Sequence, residues 1–212
     1  MNPARSFLLA ASIASSCSLG PRNPGDASPP AAVVVAPGAA FAEQLAAREV
    51  VRYVWLRTGE LLPLVASPSE APAGAALLRV ERGDEPPLAL DETLLRTTTR
   101  DGRLALVLAG GSPAATLHAA YRFASHLGIR FGLHGDVIPS RRVPFWLPEL
   151  DERRRPLFAR RGILPFHDFP EGPDWWNLDD YLAVLEQLPK LGMNFIGLHT
   201  YPEGGPNAEP LV

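Results

Sequence analysis

Arg160-Arg161-Gly162-Ile163-Leu164-Pro165-Phe166-His167-Asp168-Phe169 decides how the second half of this chain is read. The apolar run Ile163–Phe166 ends abruptly in His167 and Asp168, and a loop with Trp175-Trp176 follows. Beyond it Leu178, Tyr181, Leu182, Leu185 and Leu188 fall on one helical face, and Gly192 stops the helix. Met193 to Leu198 reads as the next buried strand, ending in His199, Thr200 and Tyr201. Strand, helix and strand with short joints is one right-handed βαβ unit. Chemistry in parallel α/β proteins gathers where the strands' carboxyl ends meet such loops.

Upstream the pattern changes. Val33-Val34-Val35 between Pro30 and Pro37 reads as a short strand, and Ala39 to Arg57 as an amphipathic helix closed by Gly59. Leu61–Val65, Leu77–Glu81 and Leu94–Thr99 follow as strands. Asp101-Gly102 is a hairpin turn, because both residues tolerate positive φ, and Leu104–Ala109 is the return strand. Ser112 and Pro113 then open a helix as N-cap and first helical residue. Its buried stripe is Leu117, Ala120, Tyr121, Ala124 and Leu127, and Ile129–Phe131 is expected to be a further strand. The expected architecture is an α+β domain over residues 31–140, a connecting segment over 141–158, and the first βα units of an incomplete (β/α)8 barrel over 159–212. Arg153-Arg154-Arg155 reads as a solvated part of that connection.

Composition limits the function classes. Among 212 residues 46% are hydrophobic and the net charge is -3, which leaves no basic field for nucleic acid. No apolar run approaches the roughly 20 residues that span a bilayer. Met1 to Ser16 has one basic residue, Arg5, an apolar run from Phe7 to Ile13, and small residues before Cys17. This is the outline of an export signal over residues 1–17, with 18–30 as a Pro/Gly-rich tether. Cys17, the single cysteine, also stands where a bacterial lipoprotein carries its lipid, which offers membrane attachment in the periplasm, at the outer membrane or outside the cell.

Parallel strands lie about 4.8 Å apart, so residues ending neighbouring strands share one mouth. His167, Asp168, Trp175, Trp176, His199 and Tyr201 are therefore the candidate lining. Aromatic faces beside a few polar groups suit a carbohydrate. No HxH or HExxH spacing supports a metal, and no cofactor motif is present. Gly110-Gly111-Ser112 lacks the phosphate-loop lysine and reads as a tight strand-to-helix turn, with a nucleotide site as the distant alternative. Asp168, Glu171, Asp174 and Glu203 are the carboxylates of these loops, and none stands out as a catalytic acid.

The stretch LVLAGGSPAATLHAAYRFASHLGIRF, followed by GDVIP, resembles the small domain that precedes the barrel in family 20 β-hexosaminidases and family 67 α-glucuronidases. VVRYVWLRTGELLPL resembles that domain's first helix, and RRGILPFHDF the first barrel strand. The resemblance implies a (β/α)8 glycoside hydrolase acting on a glycan or polysaccharide, with its catalytic carboxylates downstream of this sequence. It also implies a sugar-binding role for Arg161, matching the arginine of the family 20 Arg-Gly pair. His167-Asp168 resembles the α-glucuronidase His-Trp-Asp, without the intervening Trp. A surface-anchored carbohydrate-binding module without catalysis is the alternative.

Overall fold

A computed structural model describes residues 30–83, 87–165 and 173–197. In chain order the elements are β1 (Ala31–Val35), α1 (Phe41–Thr58), β2 (Leu64–Val65), β3 (Ala76–Arg82), β4 (Thr93–Arg100), β5 (Arg103–Gly110), α2 (Pro113–His126), β6 (Arg130–Gly132), β7 (Gly135–Val137), β8 (Asp151–Arg154), β9 (Gly162–Ile163), α3 (Leu178–Lys190) and β10 (Phe195–Ile196). A six-stranded sheet runs β2-β1-β3-β5-β4-β8. Its first four strands are parallel, β4 joins antiparallel to β5, and β8 pairs antiparallel with β4 and so runs with the first four. The first domain is thus a mixed α/β sheet, more parallel than the α+β label suggested. β9 and β10 form a separate parallel pair joined through α3, and the described residues show this βα arrangement without a closed barrel.

Local chemistry sets the boundaries. The Glu43 carboxylate accepts the Ala40 N–H at 2.8 Å and closes the first turn of α1. Gly59 ends that helix at φ +85°, where a side chain would be strained. Asp101 and Gly102 take φ +53° and +71° between β4 and β5, the geometry expected of that hairpin. Ser112 Oγ accepts the Ala115 N–H at 3.1 Å, capping α2. A Cβ on Gly110 would stand 2.1 Å from the Thr116 nitrogen, so only glycine lets α2 start so close to its strand.

Both long helices cover one face of the sheet. Val33, Leu78, Leu95, Leu106 and Leu108 meet Ala46, Val50, Tyr53, Val54, Leu117, Ala120, Phe123 and Ala124 in one buried cluster. The run of alanines keeps the helices close, and Tyr53, Tyr121 and Phe131 pack edge to face with ring centroids 5.5–6.2 Å apart. The opposite face carries two smaller clusters, around Val34 and Leu77 and around Leu94 and Val107.

Three local expectations change. The strand expected at Leu61–Val65 shortens to Leu64–Val65. The strand at Ile129–Phe131 pairs not with the sheet but with β7, in a small hairpin of its own. The arginine-rich connection supplies β8: Asp151 pairs with Arg96, and Arg153 holds both oxygens of buried Glu92 at 2.7 and 2.9 Å. Arg122 reaches Glu152 from α2. Two residues of the expected solvated triplet, Arg153 and Arg154, are therefore strand residues, ordered by cross-strand charge. No helix among the described residues is long and apolar enough to cross a membrane.

Candidate functional site

β9 and β10 approach so closely that a Cβ on Gly162 would stand 1.8 Å from the Phe195 carbonyl oxygen, which explains the glycine after Arg161. Between them Asn177 caps α3, accepting the N–H groups of Asp179 and Asp180 at 2.8 and 3.2 Å while Asp180 accepts the Asn177 N–H at 3.0 Å. The cap fixes the preceding 3-10 turn, Pro173–Trp175. Trp176 N–H donates to Pro173 O, and the Tyr181 hydroxyl donates to the same oxygen at 3.0 Å. The two tryptophans then part. Trp176 packs edge-on against Tyr181, 5.3 Å between centroids, whereas Trp175 is 63% exposed. Of the pair, Trp175 is the ring free to stack on a ligand.

Arg161 lies at the other end of the unit. It precedes β9, and its backbone N–H and C=O pair with Asn194 just ahead of β10. Its Nε donates to Gly192 O at 2.8 Å and its Nη1 to Phe158 O at 2.7 Å, with Asp91 of the first domain 3.6 Å away. Nη2 is buried with no hydrogen-bond partner among the described residues. α3, about 20 Å long at 1.5 Å per residue, separates this guanidinium from the tryptophan loop. The structure thus leaves Trp175 exposed and Trp176 packed on Tyr181, and sets Arg161 apart from both, next to Asp91 of the sheet domain. His167, Asp168, His199, Tyr201 and Cys17 lie outside the described residues.

Two polar contacts join the units at this strand-entry end. One is Arg161 with Asp91, close enough to the buried His118 of α2 for its charge to act there. Burial first, and then the Arg161 charge, hold that imidazole below its ordinary value of 6.5. The other is Asp136 of β7, which accepts from Tyr53 OH at 2.8 Å and from Lys190 Nζ at 2.9 and 3.2 Å. With its amide oriented so that oxygen faces Lys190, Gln187 donates to Asp136 and Gly132, both at 3.1 Å. Burial and the Asp136 bond push the Tyr53 phenol far above its ordinary range, so it stays a donor. The sequence offered no sign of this network, because a lysine closing a helix usually points to water.

Elsewhere the chain occupies its own candidate sites. At Gly110-Gly111-Ser112 the Gly111 N–H donates to Glu92 O at 2.9 Å, and a Cβ there would stand 1.9 Å from Ala89 O. The loop before β4 fills the place a phosphate would need, so this is a strand-to-helix turn. The Arg153 fork, with the Ala89 N–H, holds Glu92 down at about 2, which makes it a permanently charged structural anchor. No group of three metal-ligating side chains converges among the described residues.

Over 81% of its length this chain is similar in structure to a family GH115 4-O-methyl-α-glucuronidase with specificity for decorated arabinogalactans, at TM-score 0.59 and 14% sequence identity. Two structures of Streptomyces plicatus β-hexosaminidase, one with the product GlcNAc and one with Thio-NAglucal, align at TM-score 0.47 and 15% identity over 85% of the chain. The chain spans 25% of the glucuronidase and 35% of each hexosaminidase. No family model and no curated sequence matches it. The likeness is one of fold: the described chain shares its α/β arrangement with part of the glucuronidase structure.

Proposed function

We propose that β9, α3 and β10 open a (β/α)8 barrel, and that the protein to which they belong is an exported glycoside hydrolase. One observation carries the reading. On α3 the apolar stripe predicted to face inward is buried only at its end: Leu188 is 5% exposed, whereas Leu178, Leu182 and Leu185 are 71, 46 and 41% exposed. A helix with that stripe beside a two-stranded parallel pair requires further strands and helices to cover it. The likeness in fold to part of a glucuronidase structure is consistent with assigning those units to such an enzyme.

In this reading the substrate is a glycan bearing a uronic acid or an N-acetylhexosamine, held at the strand-exit end, with Trp175 stacking on a sugar face. His167, Asp168, His199 and Tyr201 follow barrel strands and would share that mouth. Arg161, on the opposite end, acts as a structural anchor unless a substrate reaches it. The leader Met1–Ser16 carries the protein out of the cytoplasm and Cys17 attaches it to a membrane, a step that mass spectrometry of membrane-extracted protein would test.

Tryptophan fluorescence tests the mouth. Titration with glucuronate-bearing and N-acetylated oligosaccharides should give a saturable change with one series, lost in Trp175→Ala and kept in Trp55→Phe. A titration that Trp175→Ala leaves unaltered would remove the mouth from the reading. Turnover of aryl uronides or aryl hexosaminides by the product of the complete reading frame separates a hydrolase from a binding module; binding without turnover would favour the module.

A further inference from the structure

The sheet domain contains a crevice that the barrel reading does not use. β1 and β3 are parallel neighbours, and the chain leaves them in opposite directions: from β1 through α1 to β2, and from β3 toward β4 on the far side of β5. Loops that diverge from adjacent strands leave a gap outside their carboxyl ends, where open α/β sheets take ligands. Here the gap is a cavity of about 530 Å³, lined by Val34, Gly38, Ser67, Arg79, Glu81 and Arg82 among others. A Cβ on Gly38 would meet nothing within 4 Å.

The charged groups around it determine what it would hold. Glu43 is occupied, one oxygen accepting the Ala40 N–H and the other Arg82 Nε at 2.8 Å. Glu81 is occupied too, accepting Arg79 Nε at 2.9 Å and Arg100 Nη1 at 3.0 Å. Each cavity arginine uses only its Nε. Among the described residues the Nη groups of Arg79 and Arg82 have no hydrogen-bond partner, and both side chains line the cavity. A guanidinium offers donors only, so two of them lining one cavity suit an oxyanion. A neighbouring hollow of about 370 Å³ shares Glu81 and Arg82 and adds Arg96 and Arg100. The two hollows together are lined by four arginines and two glutamates, and Arg96 is also paired with Asp151. Among the described residues no aromatic ring lines either hollow, so they offer no stacking platform for a base or a sugar face.

We propose that the crevice at the carboxyl ends of β1 and β3 binds a compact oxyanion, a carboxylate or a phosphate monoester on a small polar body, through the Nη groups of Arg79 and Arg82. The site stands independently of the barrel reading, since none of its residues belongs to β9, α3 or β10.

Calorimetric titration of the whole chain at low ionic strength with inorganic phosphate, glucuronate and glucose tests it. Phosphate or glucuronate binds and glucose does not, and added salt weakens the binding. Arg79→Gln and Arg82→Gln each weaken it roughly tenfold or more, the loss of a charge-assisted hydrogen bond. If either glutamine variant fails to fold, Arg79→Lys and Arg82→Lys keep the charge but not the fork, and they still weaken binding severalfold. Preference between the two anions identifies the ligand as a phosphate or a carboxylate. Failure of both anions to bind, equal binding of glucose, or binding that all the variants leave unchanged overturns the proposal.

Discussion

Replacing Asp136 by alanine tests the joint between the sheet domain and α3. Asp136 and Lys190 are almost completely enclosed, their side chains 10 and 7% exposed, and four groups converge on the carboxylate: Lys190, Tyr53, Gln187 and, at 3.8 Å, Arg52. Removing it leaves the Lys190 ammonium buried with only the Gln187 oxygen, a loss of about 3–5 kcal/mol for a broken buried pair. The Tyr53 hydroxyl loses its acceptor as well, but rotation toward a water that enters the gap offsets part of that cost. Taking the lower bound, about 3 kcal/mol, the midpoint of thermal unfolding falls by about 6–12 °C for a chain of this size. Urea titration followed by circular dichroism measures the loss directly. The double variant Asp136→Leu/Lys190→Met should recover much of it, since an apolar pair leaves no orphaned charge. A single-variant cost below about 1 kcal/mol, or a double variant as unstable as the single, would refute the account of this contact as a buried, mutually dependent ion pair.

Two other substitutions probe the packing and titration described above. Gly111→Ala places a methyl group against the Ala89 carbonyl, backbone that cannot swing aside, and should cost about 1–3 kcal/mol in urea unfolding; a neutral result would mean that the loop before β4 is not seated there. His118 is held below its ordinary 6.5 in the folded chain by burial and by Arg161, against the smaller opposing pull of Asp91 and the Met193 backbone. The unfolded chain therefore binds the extra proton first: stability is full above about pH 6.5 and declines as pH falls toward the folded value. His118→Gln should flatten that decline between pH 7.5 and 5, and an unchanged slope would assign the pH dependence to other groups.

Where a local rule sufficed, the sequence announced the structure. Ser112-Pro113 opens α2, Gly59 closes α1, and Asp101-Gly102 turns between β4 and β5, because each feature depends on a few adjacent residues. β8 was hidden for the opposite reason. Asp151-Glu152-Arg153-Arg154 has no apolar alternation, and what orders it is Arg96, Glu92 and Arg122, distant in the chain. The buried role of Lys190 was hidden in the same way, since Asp136 lies 54 residues away. Arg161 shows how far a resemblance reaches. Its position just before the short strand β9 was legible, but the direction of its side chain depends on carbonyl oxygens at Phe158 and Gly192 that no motif specifies. Trp175 and Trp176 were recognisable as a pair, and only the placement of Tyr181 on α3 tells which ring is covered.

The charged strand β8 has a consequence for what the sheet cannot do. Unpaired backbone along the rim of a sheet is a template for another chain, and a long apolar rim invites fibrous assembly. Here one rim is four charged residues, two acids followed by two arginines, and the other is the two-residue β2, with Pro63 immediately before it and Pro68 shortly after. Proline donates no ladder hydrogen bond, and a strand of paired ions loses hydration if a second molecule lies against it. Both rims are thus poor templates, and a folding intermediate that exposes this domain alone has little means of growing by strand addition.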